Sequence, residues 1–196
     1  MRRKINAEAS KITETPILEV KPFVFKKAAV ITTGSEVYKG RIKDTFTPVI
    51  IDKLKEYNVE VVFHKLCPDD PDMVTSAIKE ALDMHVDMVI CTGGMSVDPD
   101  DKTPLAIKNT GANIISYGSP VLPGAMFLLS YKGDTPIVGL PGCVMYAKAT
   151  VFDLVLPRII AGIEVTKKDL AHMGNGGFCL GCKECHYPNC SFGKGV

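Results

Sequence analysis

From Lys27 onward the chain alternates short apolar runs with stretches of helical spacing, and the same punctuation recurs at each change. Ala28-Ala29-Val30-Ile31-Thr32 runs without a polar break into turn residues, the pattern of a strand covered on both faces. Thr47-Pro48 then predicts a helix start, with Thr47 as N-cap and Pro48 at the first helical position, where its missing N–H costs nothing. Val49, Ile50, Leu54 and Tyr57 follow near helical spacing. Val59-Glu60-Val61-Val62-Phe63 reads as a second strand, and Asp70-Pro71 repeats the cap-plus-proline start before Val74, Ala77, Ile78, Ala81 and Leu82. Met88-Val89-Ile90-Cys91-Thr92 is a third buried strand, and Thr103-Pro104 opens a short helix through Leu105, Ala106 and Ile107. Three such units in succession predict parallel strands, right-handed crossovers and helices on both faces. The fold class is α/β, a three-layer α/β/α sandwich with a mostly parallel sheet.

The later pattern is less regular. Ala125-Met126-Phe127-Leu128-Leu129 and Pro136-Ile137-Val138 read as strands joined by a hairpin-like turn at Lys132-Gly133-Asp134. A last helix is expected from Cys143 or Val144 through Phe152, Leu154 and Val155 toward Leu156, with Pro157 ending or kinking it. Residues 1–26 mix charged, polar and Pro-flanked positions and read as a linker or strap. Residues 27–166 form the α/β domain and 167–196 a cysteine-rich tail. From Gly174 onward Gly, Cys and Pro dominate, so this tail needs a staple in place of a core.

Composition narrows the function classes. The 196 residues are 46% hydrophobic with a net charge of +1, enough for one domain with a full core plus an appendage. No apolar run approaches the ~18–20 residues of a membrane span, and no apolar stretch follows the basic N-terminus as a secretory signal requires. The near-neutral balance argues against nucleic acid as a partner. The expectation is a cytoplasmic protein without membrane contact.

Seven cysteines are unevenly spread. Cys67, Cys91 and Cys143 are scattered, and Cys67 and Cys91 read as small buried hydrophobes. Cys179, Cys182, Cys185 and Cys190 crowd together beside His186, which in a cytosolic protein points to metal ligation. The spacing Cys-x2-Cys-x2-Cys-x4-Cys resembles the run that holds an iron–sulfur cluster, with a final gap longer by one and no Pro after Cys190. Tetrahedral zinc also takes four thiolates, or three and a histidine, so ligand type leaves both metals open.

In open parallel sheets ligands bind beyond the carboxyl ends of the strands. Three loops fall there: Thr32-Thr33-Gly34-Ser35-Glu36, Cys67-Pro68-Asp69-Asp70, and Thr92-Gly93-Gly94-Met95-Ser96 running on to Asp101. Glycines admit a close ligand, hydroxyls and N–H groups hold oxyanions, and carboxylates become useful beside phosphate when Mg²⁺ bridges them. Asp70, Asp98 and Asp100 also read as helix caps or solvated turns. No Walker loop, G-x-G-x-x-G, H-E-x-x-H or G-x-S-x-G occurs. His64, His85 and His172 share no ligand spacing and read as surface or packing residues. The residues alone reach an α/β domain that binds a phosphorylated or anionic ligand with Mg²⁺.

These loops resemble the molybdopterin-binding domain family shared by molybdopterin adenylyltransferase, molybdopterin molybdenumtransferase and gephyrin. The resemblance rests on Thr33-Gly34-Ser35-Glu36, Gly40-Arg41-Ile42-Lys43-Asp44-Thr45, Asp69-Asp70-Pro71, Thr92-Gly93-Gly94-Met95-Ser96-Val97, Asp101 with Thr103-Pro104, and Gly139-Leu140-Pro141-Gly142. It implies molybdopterin or adenylylated molybdopterin as ligand, contacted by Thr33, Gly34, Ser35, Glu36, Asp44, Gly93, Gly94, Ser96, Thr103, Pro141 and Gly142. It also implies catalytic roles for Asp69 and Asp101, with Asp101 toward Mg²⁺, and leaves Lys102 as either a phosphate partner or a solvated lysine. Molybdenumtransferase-like handling of adenylylated molybdopterin is the leading reading; a carrier or sensor, or adenylyltransferase-like activity, is the alternative. Phe46 where the molybdenumtransferases have Asn, and Cys143-Val144 where they have Asn-Pro, depart from that branch. The family implies companion domains or subunits and a homo-oligomer, dimer or trimer.

Overall fold

The computed structural model of the chain describes residues 18–96 and 101–194. Strand β1 (Lys27–Thr33) is buried at every position but the first, as a strand with layers on both sides must be. It pairs in parallel with β2 (Glu60–Cys67) and β3 (Met88–Thr92), and β3 pairs in parallel with β6 (Thr135–Leu140). Beyond β6 the sheet reverses: β5 (Leu128–Lys132) lies antiparallel to β6, and β4 (Asn113–Tyr117) antiparallel to β5. The six-stranded order is β2-β1-β3-β6-β5-β4.

Side chains of a strand alternate between faces, and the core divides accordingly. Ala28, Val30, Ile90 and Val138 join Ile50 and Leu54 of helix α2 (Phe46–Lys55) and Phe152, Val155 and Ile159 of α5 (Val151–Ile160) on one face. Ala29, Ile31, Val89 and Ile137 join Val74 and Ile78 of α3 (Pro71–Asp83) and Ala106 and Ile107 of α4 (Thr103–Asn109) on the other. The three layers expected from the pattern are present. No helix of the described residues is long and apolar enough to cross a membrane.

Asp70 caps α3 as expected, its Oδ1 accepting the N–H groups of Asp72 and Met73 at 2.9 Å each, with Pro71 in the first turn. The start of α2 differs from expectation. The helix begins at Phe46, and Asp44 Oδ1 accepts the N–H groups of Phe46 at 2.9 Å and Thr47 at 3.0 Å, leaving Thr47 buried in the first turn. An upstream carboxylate displaces the hydroxyl because a charged acceptor makes the stronger bond.

The last long helix also starts later than expected. Gly142–Met145 is a single 3-10 turn, and α5 begins at Val151, where Thr150 and Asp153 form a capping box. Pro157 does not end the helix, which continues to Ile160. Having no N–H, Pro157 leaves the Asp153 carbonyl without its helical donor. The Tyr187 hydroxyl from the tail supplies one at 2.8 Å. Ala125–Phe127 is a turn closed by Phe127 N–H to Gly124 O at 2.9 Å, so β5 starts only at Leu128.

Among the elements not expected are α1 (Ser35–Tyr38), edge strand β4 and α6 (Lys167–Met173), which buries Leu170 and Met173. The reading of residues 1–17 lies outside the described residues. Just before β1, the N–H groups of Val24 and Phe25 donate to Ile160 O at 2.9 and 3.1 Å, and Phe23 meets Tyr57 edge-on at 5.3 Å.

The tail is docked on the domain. Leu122 N–H donates to Gly177 O at 2.6 Å and Cys179 N–H to Leu122 O at 2.8 Å, a short β-bridge between Leu122 and Phe178. Phe192 is 3% exposed and meets Tyr187 edge-on. Contact with the domain takes the place of a core of its own.

Candidate functional site

Register alone brings the expected loops together. Thr33 lies opposite Cys67, Thr32 opposite Thr92, and Thr92 opposite Leu140, so β1, β2, β3 and β6 end side by side at one sheet edge. The first and second loops are bonded: Ser35 N–H donates to Asp69 Oδ2 at 2.8 Å, Asp69 N–H to Ser35 Oγ at 3.3 Å, and Gly34 N–H to Cys67 O at 3.0 Å. The third presses on the first at Gly93, whose φ is 80° and where a Cβ would stand 1.9 Å from the Thr33 carbonyl oxygen.

The third loop is closed on itself. Thr103, fully buried, donates to Gly93 O at 2.8 Å. Asp101 Oδ2 accepts from both the Ser96 N–H and, at 2.8 Å, its hydroxyl. Tyr117 donates to Ser96 O at 3.2 Å; burial first, and then the Asp101 charge, raises its pKa and keeps the donor protonated.

Beneath this edge runs a polar chain that the spacing of the sequence did not reveal. The Thr92 hydroxyl donates to Thr32 Oγ1 at 3.4 Å, and Thr32 and Thr47 share a bond of 2.9 Å. Thr47 donates to Asp44 Oδ2 and lies 2.9 Å from His64 Nε2, itself 3.6 Å from the Asp44 carboxylate. Apart from Thr47 and Asp44, the partners stand 15 or more residues apart, and His64 carries no signal of its own on β2. Thr33 keeps a buried hydroxyl without a hydrogen-bond partner among the described residues.

A cleft of about 590 Å³ opens beside the loops. Of the residues singled out in the sequence, Ser96, Pro141 and Gly142 line it, together with Gly124, Met126 and Tyr146, which sequence reasoning missed. Asp69, Asp101, Thr33, Gly34, Ser35, Gly93, Gly94 and Thr103 belong to the interlocked loops, while Glu36 lies exposed on α1 and Asp44 serves the start of α2. Cys143 lines the cleft too, but burial raises its thiol pKa, and the buried Cys67 and Cys91 are raised for the same reason. They are neutral thiols, with Cys67 and Cys91 in the core as expected.

Among the described residues no three His, Cys, Asp or Glu side chains come together as a ligand set for a metal ion. The four tail cysteines and His186 nonetheless line one cavity of about 310 Å³, with Cys182 and Cys185 exposed and Cys179 and Cys190 half-buried.

Comparison with known proteins agrees with this architecture. Residues 29–161 match a family described as "Probable molybdopterin binding domain". Over 131 residues, 63% of this chain, the sequence is 31% identical to the molybdopterin molybdenumtransferase of Staphylococcus aureus, of which it spans only 31%. Over 80 residues, 41% of this chain and 18% of the other, it is 34% identical to a CinA-like protein of Mycobacterium avium. The tungsten cofactor synthesizing protein MoaB from Pyrococcus furiosus superposes with a TM-score of 0.57 at 25% identity, covering 70% of this chain and 94% of that one. The molybdopterin biosynthesis enzyme MoaB from Thermus thermophilus does so at 0.56 and 21% identity, covering 71% and 98%. The family match runs from β1 through the end of α5 and takes in every loop of the sheet edge, and on that ground the chain belongs to the molybdopterin-binding domain family of molybdenum-cofactor biosynthesis.

Proposed function

We propose that the interlocked loops receive the phosphate end of adenylylated molybdopterin, that the pterin lies in the adjoining cleft, and that the chain handles this ligand as a molybdenumtransferase does. The observation that carries the reading is the convergence of Ser35–Asp69, Gly93–Thr33 and Ser96–Asp101 at one sheet edge. Gly93 and Gly94 let backbone approach phosphate closely. The unpartnered Thr33 hydroxyl offers a ligand a bond that no described residue makes.

Mg²⁺ is compatible with this donor set. It keeps several waters and takes one or two carboxylates plus phosphate oxygens, so a protein-only cage is not required. Asp101, with Asp69, would hold it, and the ion would supply charge neutralisation at a phosphoanhydride. The chain's own part is to orient: Ser35 fixes Asp69, Ser96 fixes Asp101, and Tyr117 holds the Ser96 backbone. Companion domains or a second copy would close the open side of the cleft, in keeping with the greater length of the Staphylococcus aureus relative.

A carrier reading is favoured by one feature: the Asp101 carboxylate is turned onto its own loop at Ser96. Adenylylated molybdopterin, molybdate and Mg²⁺ separate the two. Release of AMP by the native chain, falling about 10²-fold or more in Asp101→Asn, supports the transferase. Tight binding without AMP release by either protein leaves the carrier.

A further inference from the structure

We propose that the tail cavity seats a polynuclear iron–sulfur cluster ligated by Cys179, Cys182, Cys185 and Cys190. Residues 174–194 have too few buried side chains to hold a shape alone, and Tyr187 and Phe192 anchor only one side of them. Yet all four cysteines line a single space of about 310 Å³. A space lined by four cysteines, in a tail without a core of its own, suits a thiolate-bound occupant.

The cysteine spacing favours the cluster, since Cys179-x2-Cys182-x2-Cys185 resembles the run that holds one. A tetrahedral zinc with Zn–S bonds of about 2.3 Å draws its four sulfurs to within roughly 3.8 Å of one another. A cluster spreads its thiolates over the corners of an iron–sulfide cube, so the ligands surround a volume instead of meeting at a point. Cys179 and Cys190 are half-buried and pack against the domain core, and the Cys179 N–H is held by Leu122. Cys182 and Cys185 are exposed.

The position adds a consequence. Pro123, Tyr146, Phe178 and Cys179 line both this cavity and the cleft beside the loops. A cluster here would share a wall with the bound pterin. Iron uptake does not depend on the pterin reading, so the two stand or fall separately.

The test is anaerobic reconstitution of the full chain with ferrous iron and sulfide under reducing conditions. The expected result is about four irons and four sulfides per chain, with a broad visible absorption that bleaches on reduction. Cys182→Ser and Cys185→Ser should each lose at least half of the bound iron, and Cys67→Ser should keep all of it. Circular dichroism should show all three variants folded, since the first two changes are at exposed positions. A colourless chain that takes up one zinc and no iron overturns the proposal, as does a chain that binds neither. Full iron retention in both tail variants overturns it as well.

Discussion

Gly93 admits no side chain, because a Cβ would collide with the Thr33 carbonyl and the backbone is left-handed there. Gly93→Ala should therefore cost about 1–3 kcal/mol in urea denaturation and weaken molybdopterin binding with it. Thr47→Val keeps the volume but leaves the Asp44, Thr32 and His64 groups without their shared partner. The expected loss is about 1–3 kcal/mol, and a change below a few tenths would show the polar chain to be dispensable. At this scale the sequence was legible at Asp70, whose cap acts on near neighbours, although the equally local caps at Asp44 and Thr150 were passed over for Thr47 and Val144. Asp70 with Pro71 announced α3 because an N-cap bonds two and three residues ahead. His64 was not legible, because its partners Thr47 and Asp44 come from α2 and the loop before it, and nothing local marks them.

Among the elements, α5 concentrates the dependencies. Asp153 accepts the Thr150 N–H at 2.7 Å and its hydroxyl at 3.0 Å, pairs with Lys53 of α2, and offers the carbonyl that Pro157 leaves open to Tyr187. Both charged side chains of the pair are only 12–14% exposed. Asp153→Ala should cost about 3–5 kcal/mol by stranding the Lys53 charge and removing the cap, and Lys53→Met should cost clearly less. Thermal melts of the two variants decide the order.

Tyr187 makes docking of the tail alkali-sensitive. Burial, above all, pushes its phenol up to about 12, from an ordinary value near 10. A raised pKa means that the protonated form is favoured in the folded chain. The phenol's contribution is therefore whole below about pH 10 and fades as pH rises through 12. Carbon-13 NMR of labelled tyrosine should place its midpoint near 12, whereas a midpoint at the ordinary value would remove the argument. Why the start of α5 is misplaced by its sequence pattern is equally physical. Its apolar spacing can be extended back to Val144, and only the Thr150–Asp153 box fixes the true start.

For the whole molecule, the parallel strands and the β5–β6 hairpin were readable and the edge strand β4 was not. Strands β1 and β3 are continuous apolar runs because layers cover both faces, whereas β4 is a half-exposed edge strand whose Asn113 and Tyr117 ends blur the pattern. The meeting of loops at one edge followed from parallel topology, but the cleft beside them did not. Its walls come from segments 122–126 and 141–146 and from the tail. A chain ending at residue 173 should keep its α/β core yet melt several degrees lower, since Leu154 and the Asp153 carbonyl lose their cover. The antiparallel turn from β5 to β6 carries one more implication. It returns the start of β5, Leu128, to the level of Gly139, so the stretch leading into β5 borders the ligand edge while its Leu122 clasps Phe178. Among the described residues the appendage is hydrogen-bonded to the domain at Leu122 and at Asp153 of α5. Because Phe178 and Cys179 also wall the cleft, a differently built C-terminal module grafted at the same two attachments would reshape that wall while leaving the sheet edge in place.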